Sequence, residues 1–439
     1  MYLVGQKRVL ALVNLIIYLF SSTMQERKMR DIMSLMKKIM IYIATTVFLL
    51  VVTMIVILYG KGYNLNFENG KFGISGTGLL AATSQPDGAG IYIDDHLTSA
   101  TNNTISLAPG EYDVKISKSG YSTWDKKIKI EKEVVSSVYA LLIPVAPKLD
   151  NITNMGVGDP VLDPTRTKIA YTVSSLDDPR KNGVYILDMG LRPILTLQSS
   201  SSQIVDDTID NFSKAKLAWT PDAKEVIAAI PTGTKAVTTY LLKTSFNENP
   251  QDITATLASV NLTWKNQKDI QDKSQLLGLK VELQNLIKDN FTILSWSEDE
   301  TKILYVASQS ASLSKIIDPP LIGTNSTPEV RNINKGTIYV YDIKEDKNYK
   351  ILDSMPENNS PDFVNGFPLN WFTDSKHLIY VSDKKIQIVD YDGQNNRTIY
   401  AGPFIDGFVF SWPDGSKVLI LTDLGNPTIS PNLYTIGLK

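Results

Sequence analysis

The chain has 439 residues, 43% hydrophobic and 21% charged, an ordinary globular composition that allows an anchor plus two or three folded units. It contains no cysteine and only two histidines, His96 and His377, which excludes disulfides, thiolate chemistry, lipidation at cysteine and a multi-histidine metal centre. The net charge of −2 is uneven: residues 1–38 hold seven Lys/Arg against two Asp/Glu, so this +5 leaves −7 on the remainder, and an acidic body argues against capture of nucleic acid.

A cysteine-free chain of this length, rich in Gly, Pro and Tyr, fits a turn-rich bacterial surface protein. Residues 1–38 read as a basic cytoplasmic tail, too short for a catalytic domain. An apolar stretch at Val9–Phe20 is only 12 residues long, contains Asn14, and falls away altogether if translation starts at Met24, Met29 or Met33 rather than Met1. Ile39–Tyr59 is a run of 21 residues without charge or proline. As a helix it spans about 31 Å, the thickness of a bilayer's hydrocarbon core. Arg27, Lys28, Arg30, Lys37 and Lys38 precede it and only Lys61 follows closely. The positive-inside rule therefore places the N-terminus in the cytoplasm and residues 60–439 outside.

Residues 60–78, with Gly60, Gly62, Asn64, Asn66, Gly70 and Gly73, read as a stalk with one hairpin. From 79 to 144 short alternating strands at Ile91–Ile93, Tyr112–Ile116, Ile128–Ile130 and Val134–Leu142 predict a small β-sandwich. Pro86-Asp87-Gly88-Ala89 before Ile91-Tyr92-Ile93-Asp94, then Pro109-Gly110-Glu111-Tyr112, then Gly120-Tyr121-Ser122-Thr123-Trp124, occur in order. This segment resembles a PEGA domain, departing from it at Asp95, where the family has a turn glycine. The resemblance implies a surface or envelope module without catalytic residues. Tyr121 and Trp124 read as core aromatics of the sandwich.

Residues 145–439 repeat one pattern. It is seen in Trp219-Thr220-Pro221-Asp222 before Val226-Ile227-Ala228, in Trp296-Ser297-Glu298-Asp299 before Ile303-Leu304-Tyr305, and in Trp371-Phe372-Thr373-Asp374 before Leu378-Ile379-Tyr380. Trp412-Pro413-Asp414-Gly415 before Val418-Leu419-Ile420 is a fourth copy, and Leu162-Asp163-Pro164-Thr165 before Ile169-Ala170-Tyr171 a degenerate fifth. Second strands follow at Val184–Asp188, Ile338–Asp342 and Ile386–Asp390. The repeat resembles that of TolB-type, WD40-like propellers, in which tryptophan packs between blades and Asp closes the next turn through its own backbone. Five or six blades are expected. The last copy is one strand short, and Pro147–Ile152 is placed to supply it and close the ring.

Two insertions interrupt the rhythm. Residues 251–292 carry Leu276, Leu279, Leu283, Leu286 and Ile287 at helical spacing, weakened by Gly278. Residues 308–335 are Ser-rich, then contain Pro319-Pro320, and read as an exposed loop; both are first places to seek function. Asp390-Tyr391-Asp392-Gly393 looks like a calcium loop, but Gln394 and Arg397 spoil the ligand series, so it reads as a hairpin turn. Asp177-Asp178 and Asp206-Asp207 read as acidic loop pairs. No G-x-S-x-G, P-loop, H-E-x-x-H or dinucleotide fingerprint occurs. No catalytic, cofactor-binding or metal residue is assigned, and the ligand-binding residues stay unnamed.

The expectation is an all-β extracytoplasmic region: a transmembrane helix, a PEGA-like sandwich, then a propeller with a helical insertion. The expected function is non-enzymatic binding of an envelope protein or cell-wall glycan, anchored to the cytoplasmic membrane through 39–59, with no cofactor. The alternatives are an enzyme with an acidic site in the propeller channel, marked by inward carboxylates of raised pKa, or a receptor signalling through its tail.

Overall fold

A computed structural model describes residue 33 and residues 35–57, 63–68, 71–174, 177–190, 201–233, 236–356 and 369–438. The expectations about Val9–Phe20, Arg27, Lys28, Arg30, Lys61 and the starts at Met1, Met24 and Met29 lie outside the described residues. The chain divides into two compact units, residues 1–78 and 79–439.

In the first unit, helix α1 (Leu35–Ile57) is a 23-residue apolar helix with the length and composition to cross a membrane. It begins earlier than the uncharged run because Lys37 and Lys38 continue the same helix. Its threonine hydroxyls are satisfied within it: Thr46 donates to the Tyr42 carbonyl at 2.8 Å and Thr53 to that of Leu49 at 2.8 Å. A hairpin pairs Tyr63–Glu68 with Lys71–Gly76.

The second unit opens with a seven-strand sandwich. Four antiparallel strands, in the order His96–Ala100, Gly90–Ile93, Gly110–Ser117 and Trp124–Ile130, face three ordered Asn103–Leu107, Gly78–Gln85 and Val135–Leu141. The last two run parallel. Alternate side chains meet in one core that includes Leu80, Ile91, Ile116, Trp124, Ile130 and Ala140. At the first hairpin Asp94 and Asp95 both adopt positive φ, 48° and 63°, as a two-residue turn of this hand demands. Asp95 thus does the work of the family's glycine at the cost of a left-handed non-glycine residue.

Five four-stranded antiparallel sheets follow. Blade 1 is Gly158–Leu162, Lys168–Val173, Gly183–Asp188 and Ser201–Asp206; blade 2 is Lys216–Trp219, Glu225–Thr232, Ala236–Lys243 and Gln251–Asp252. Blade 3 is Phe291–Trp296, Lys302–Ala307, Ile338–Asp342 and Lys347–Leu352; blade 4 is Leu369–Trp371, His377–Ser382, Lys385–Asp390 and Arg397–Tyr400. In blade 5 Val409–Ser411, Lys417–Thr422 and Asn432–Gly437 are completed by Leu149–Asn151, which pairs with Tyr434–Ile436 as its outer strand.

The repeat is exact in its backbone. In every blade the residue ending the first strand is followed by a turn with the same two hydrogen bonds. These are Asp163 N to Lys168 O, Thr220 N to Glu225 O, Ser297 N to Lys302 O, Phe372 N to His377 O and Trp412 N to Lys417 O, each with an inner bond three residues along. The residue after the turn's apex is left-handed each time: Arg166, Ala223, Glu300, Ser375 and Gly415, at φ 54–64°. The Asp carboxylate closes the turn through backbone N–H groups, as Asp374 does for Lys376 at 2.9 Å and His377 at 3.0 Å. One alignment is corrected. Trp412 sits a position later than Trp219, Trp296 and Trp371, in register with Thr220, Ser297 and Phe372, because it precedes its aspartate by two residues instead of three. Trp219 Nε1 donates to the Val161 carbonyl of blade 1 at 2.9 Å, the inter-blade contact expected.

Shared apolar clusters join blades 1 and 2, 3 and 4, 4 and 5, and 5 and 1. The remaining face of blade 3 is covered differently. The helical insertion breaks at Gly278 into α2 (Leu257–Leu277) and α3 (Val281–Asn290), rather than forming one helix. Leu283, Leu286 and Ile287 of α3 are buried against Ile303, Tyr305, Tyr339 and Tyr341 of blade 3. Each such burial contributes about 1.5–3 kcal/mol. Most of α2 is exposed, including Leu262 and Ile270.

The second insertion is a strap, not a free loop. Arg331 donates to the Ser314 carbonyl at 2.9 Å, and Asp346 Oδ2 accepts the Ile316 and Ile317 amides at 2.6 and 2.8 Å, holding the insertion to blade 3. Its middle, Gly323–Thr327, reaches the sandwich: Gly323 N donates to Glu131 Oε2 at 3.2 Å and Ser326 Oγ accepts the Lys129 amide at 2.9 Å. Gly323 has φ +70°, and a Cβ there would lie 2.3 Å from Val134 Cγ1, so glycine is required for this approach.

Candidate functional site

The seam between sandwich and propeller gathers a cluster of buried ionisable groups: His377, Asp390, Asp392, Lys302 and Asp342. Residues 390–393 are the hairpin turn expected, with Gly393 at φ +80°, and they are also the dock for the sandwich. Trp124 is 3% exposed in the sandwich core, yet its Nε1 donates to Asp390 Oδ2 at 3.0 Å. Lys126, two residues along and on the same strand face, forms an ion pair with Asp392. The Asp392 side chain is fully buried and also accepts Asn325 Nδ2 and Thr327 Oγ1 of the strap, each at 2.7 Å. Burial opposes charge on Asp392, but Lys126 and these hydrogen bonds outweigh it and hold its pKa below the ordinary value.

Asn395 completes the dock in another way. Its carboxamide accepts the Asp125 amide at 3.1 Å and donates to the Asp125 carbonyl at 3.1 Å, as a neighbouring strand's peptide would. With Ser326 on the Lys129 amide, side chains thus cover the exposed edge of Trp124–Ile130. Arg397 Nη2 adds a 2.9 Å bond to the Thr123 carbonyl.

Behind Asp390 lies His377, 3% exposed, with Nδ1 2.6 Å from Asp374 Oδ2 and Nε2 3.2 Å from Asp390 Oδ1. Burial works against its charged form, but the two carboxylates prevail and raise its pKa to about 10. Asp374 is correspondingly lowered despite its burial. Tyr139 of the sandwich packs beside His377 at 5.9 Å between ring centroids, and the Lys376 ammonium stands 4.1 Å from the Tyr139 centroid. Burial lowers the pKa of Lys376.

Blade 3 contributes Lys302, 3.9 Å from Asp342, and the two carboxyl groups with raised pKa among the described residues, Asp342 and Glu345, both raised chiefly by burial. Lys347 is lowered by burial and donates to the Asn325 carbonyl. These groups lie at the hairpin ends of blade 3 facing the sandwich, a place sequence reasoning missed. Two clefts open along the seam. One, about 530 Å³, runs between Val135–Tyr139 and the Lys302, Asp342 and Lys376 wall; the other, about 890 Å³, lies between the charged sheet face and strap residues 320–328.

The remaining residues singled out are structural. Tyr121 packs half-buried on the sandwich core. Asp178 Oδ1 accepts the Arg180 amide, Asp206 Oδ1 that of Thr208, and Asp207 Oδ1 that of Ser213. Among the described residues no group of three or more His, Asp or Glu is placed to hold a metal ion.

Residues 77–144 match the PEGA domain model. No curated protein matches the chain significantly. Among solved structures it is similar to a TolB-type protein of Agrobacterium tumefaciens, at 14% identity and a TM-score of 0.22, over 63% of this chain and 78% of that one. It is also similar to TolB from Acinetobacter baumannii, at 12% identity and a TM-score of 0.23, over 74% of this chain and 59% of that one. A third is the β-propeller domain of the Trilobed protease from Pyrococcus furiosus, at 13% identity and a TM-score of 0.17, over 82% and 95%. These scores are low, and the propeller rests on the five repeated blades themselves. The chain thus joins an N-terminal apolar helix, a PEGA domain at 77–144 and five four-stranded propeller-type blades.

Proposed function

We propose that this is a non-enzymatic cell-envelope protein, held in the cytoplasmic membrane by α1 with its N-terminus inside, which presents the PEGA domain and propeller outside as one rigid binding body for protein or glycan. The observation that carries the reading is the interlocked seam. Trp124–Asp390, Lys126–Asp392 and the two-bonded Asn395 fasten the domains without a flexible joint, and open clefts at their junction. Clefts of several hundred Å³ at domain junctions are where ligands commonly bind.

Retention of a specific envelope protein or wall glycan by the intact chain, lost when the seam is undocked, supports this reading. Chemical alteration of extract components with nothing retained contradicts it. The enzyme alternative keeps one supporting observation, the raised carboxyls Asp342 and Glu345 beside Lys302 in the smaller cleft. They belong to blade 3 beneath the PEGA domain rather than to carboxylates ringing the propeller axis. Asp342→Asn abolishing such alteration would favour that alternative.

A further inference from the structure

The strand Val135–Leu141 is an edge that nothing covers along part of its length. It pairs on one side only, with Gly78–Gln85. The bonds from Leu79 N to Val134 O and from Leu142 N to Gln85 O fix which of its peptides face that neighbour. Even-numbered residues point inward, and their side chains Val138 and Ala140 fill the PEGA core. The peptide groups of Ser137 and Tyr139 therefore point away, in the sheet plane, with no hydrogen-bond partner among the described residues. Leu141 ends this edge in the propeller core, and strap residue Gly323 lies against Val135.

The open segment is not left to bulk solvent. Ser137 and Tyr139 line the 530 Å³ cleft, facing the Lys302 and Lys376 wall. Unpaired edges are liabilities that proteins blunt with proline, bulges or covering groups. The neighbouring edge Trp124–Ile130 is treated in that way, by Asn395 and Ser326. The Ser137–Tyr139 edge carries no such device. Peptide donors and acceptors repeating about every 6.8 Å match an extended polypeptide and no other common ligand. Lys376 has no ion pair within 4 Å among the described residues and stands over Tyr139, beside the path an added strand would take.

Building on the binding reading above, we infer that the cleft receives an extended peptide segment of a partner protein, added as a strand to Ser137 and Tyr139, with an acidic side chain meeting Lys376. The test uses the detergent-solubilised full chain and heptapeptides selected on it from a random display library. Selected peptides should contain an acidic residue and protect the Ser137 and Tyr139 amides from hydrogen exchange. Ser137→Pro removes one outward N–H without costing a bond to Gly78–Gln85, and should weaken binding at least tenfold, whereas Ser137→Ala should leave it unchanged. Methylation of alternate peptide amides should weaken binding equally, a readout independent of how the protein variants fold. Failure to select any peptide, or binding indifferent to both Ser137→Pro and amide methylation, overturns the inference. Peptides bound elsewhere overturn it while leaving the binding reading standing; a chain retaining no envelope component sinks that reading whatever the peptides do.

Discussion

Replacing Lys126 by methionine removes the only cation that pairs with the fully buried Asp392 carboxylate among the described residues. Breaking a buried pair at one end costs about 3–5 kcal/mol, because the remaining charge is left in a low-dielectric site. Asn325 and Thr327 still donate to Asp392, which places the expected cost near the lower end, about 3 kcal/mol. Asp392→Asn in the same background removes the stranded charge and should recover part of the loss, a coupling of about 1–3 kcal/mol in a double-mutant cycle. Because the folded pKa of Asp392 is depressed, its stabilising contribution in the native protein is present above about 3.9 and lost as pH falls through the folded value. Lys126→Met withdraws the main cause of the depression, so its deficit should narrow as pH falls toward 4. Hydrogen exchange of residues 124–130 and 385–397 reads this as the free energy of opening the seam, avoiding any assumption of two-state unfolding. A change below 1 kcal/mol in Lys126→Met, or strict additivity in the double variant, would refute the reasoning.

Other expected outcomes are independent of that pair. His377, raised to about 10 from an unfolded value near 6.5, contributes stability fully present below about pH 6.5 and lost as pH rises toward 10, on the order of 5 kcal/mol at most. Lys376 and Lys347, both lowered, act in the opposite sense at high pH, so the comparison is with His377→Gln, whose urea midpoint should be flatter over this window; equal slopes would contradict the assignment. Asp95→Gly relieves a left-handed aspartate at φ 63° and should raise the PEGA domain's stability by about 0.5–1 kcal/mol, with a lower thermal midpoint as the contrary result. Ile287→Ala empties a buried site between α3 and blade 3 and should cost about 2–5 kcal/mol, whereas a cost under 1 kcal/mol would mean that α3 is not packed there.

Much of this architecture is legible in the chain, for identifiable reasons. An uncharged run of 21 residues reads as an apolar helix, and a turn with Asp directly before a left-handed residue leaves the same mark in blades 2 to 5, while blade 1 places Asp163 three residues ahead of its left-handed Arg166. The outer strand at Leu149–Asn151 could be found by counting, since blade 5 lacked one. Other features depend on distant partners. Asp390 and Asp392 read as turn residues, which they are, but Trp124 and Lys126 lie 266 residues away and no local pattern joins them. The strap's composition signals a loop and says nothing of what it spans. Trp412 misaligned because tryptophan is the eye-catching residue, while the aspartate and its hydrogen bonds set the register. Gly278 lowers helix propensity, and in the chain it ends α2 outright.

The cysteine-free sequence allows a direct test of where the PEGA–propeller body lies. Single cysteines placed at Lys118, half-buried on the PEGA domain, and at Lys37, at the start of α1, would be challenged in intact cells with a membrane-impermeant maleimide. The account predicts labelling at 118 and none at 37 until the membrane is permeabilised. Labelling at 37 with protection at 118 would put the binding body in the cytoplasm and contradict the envelope function.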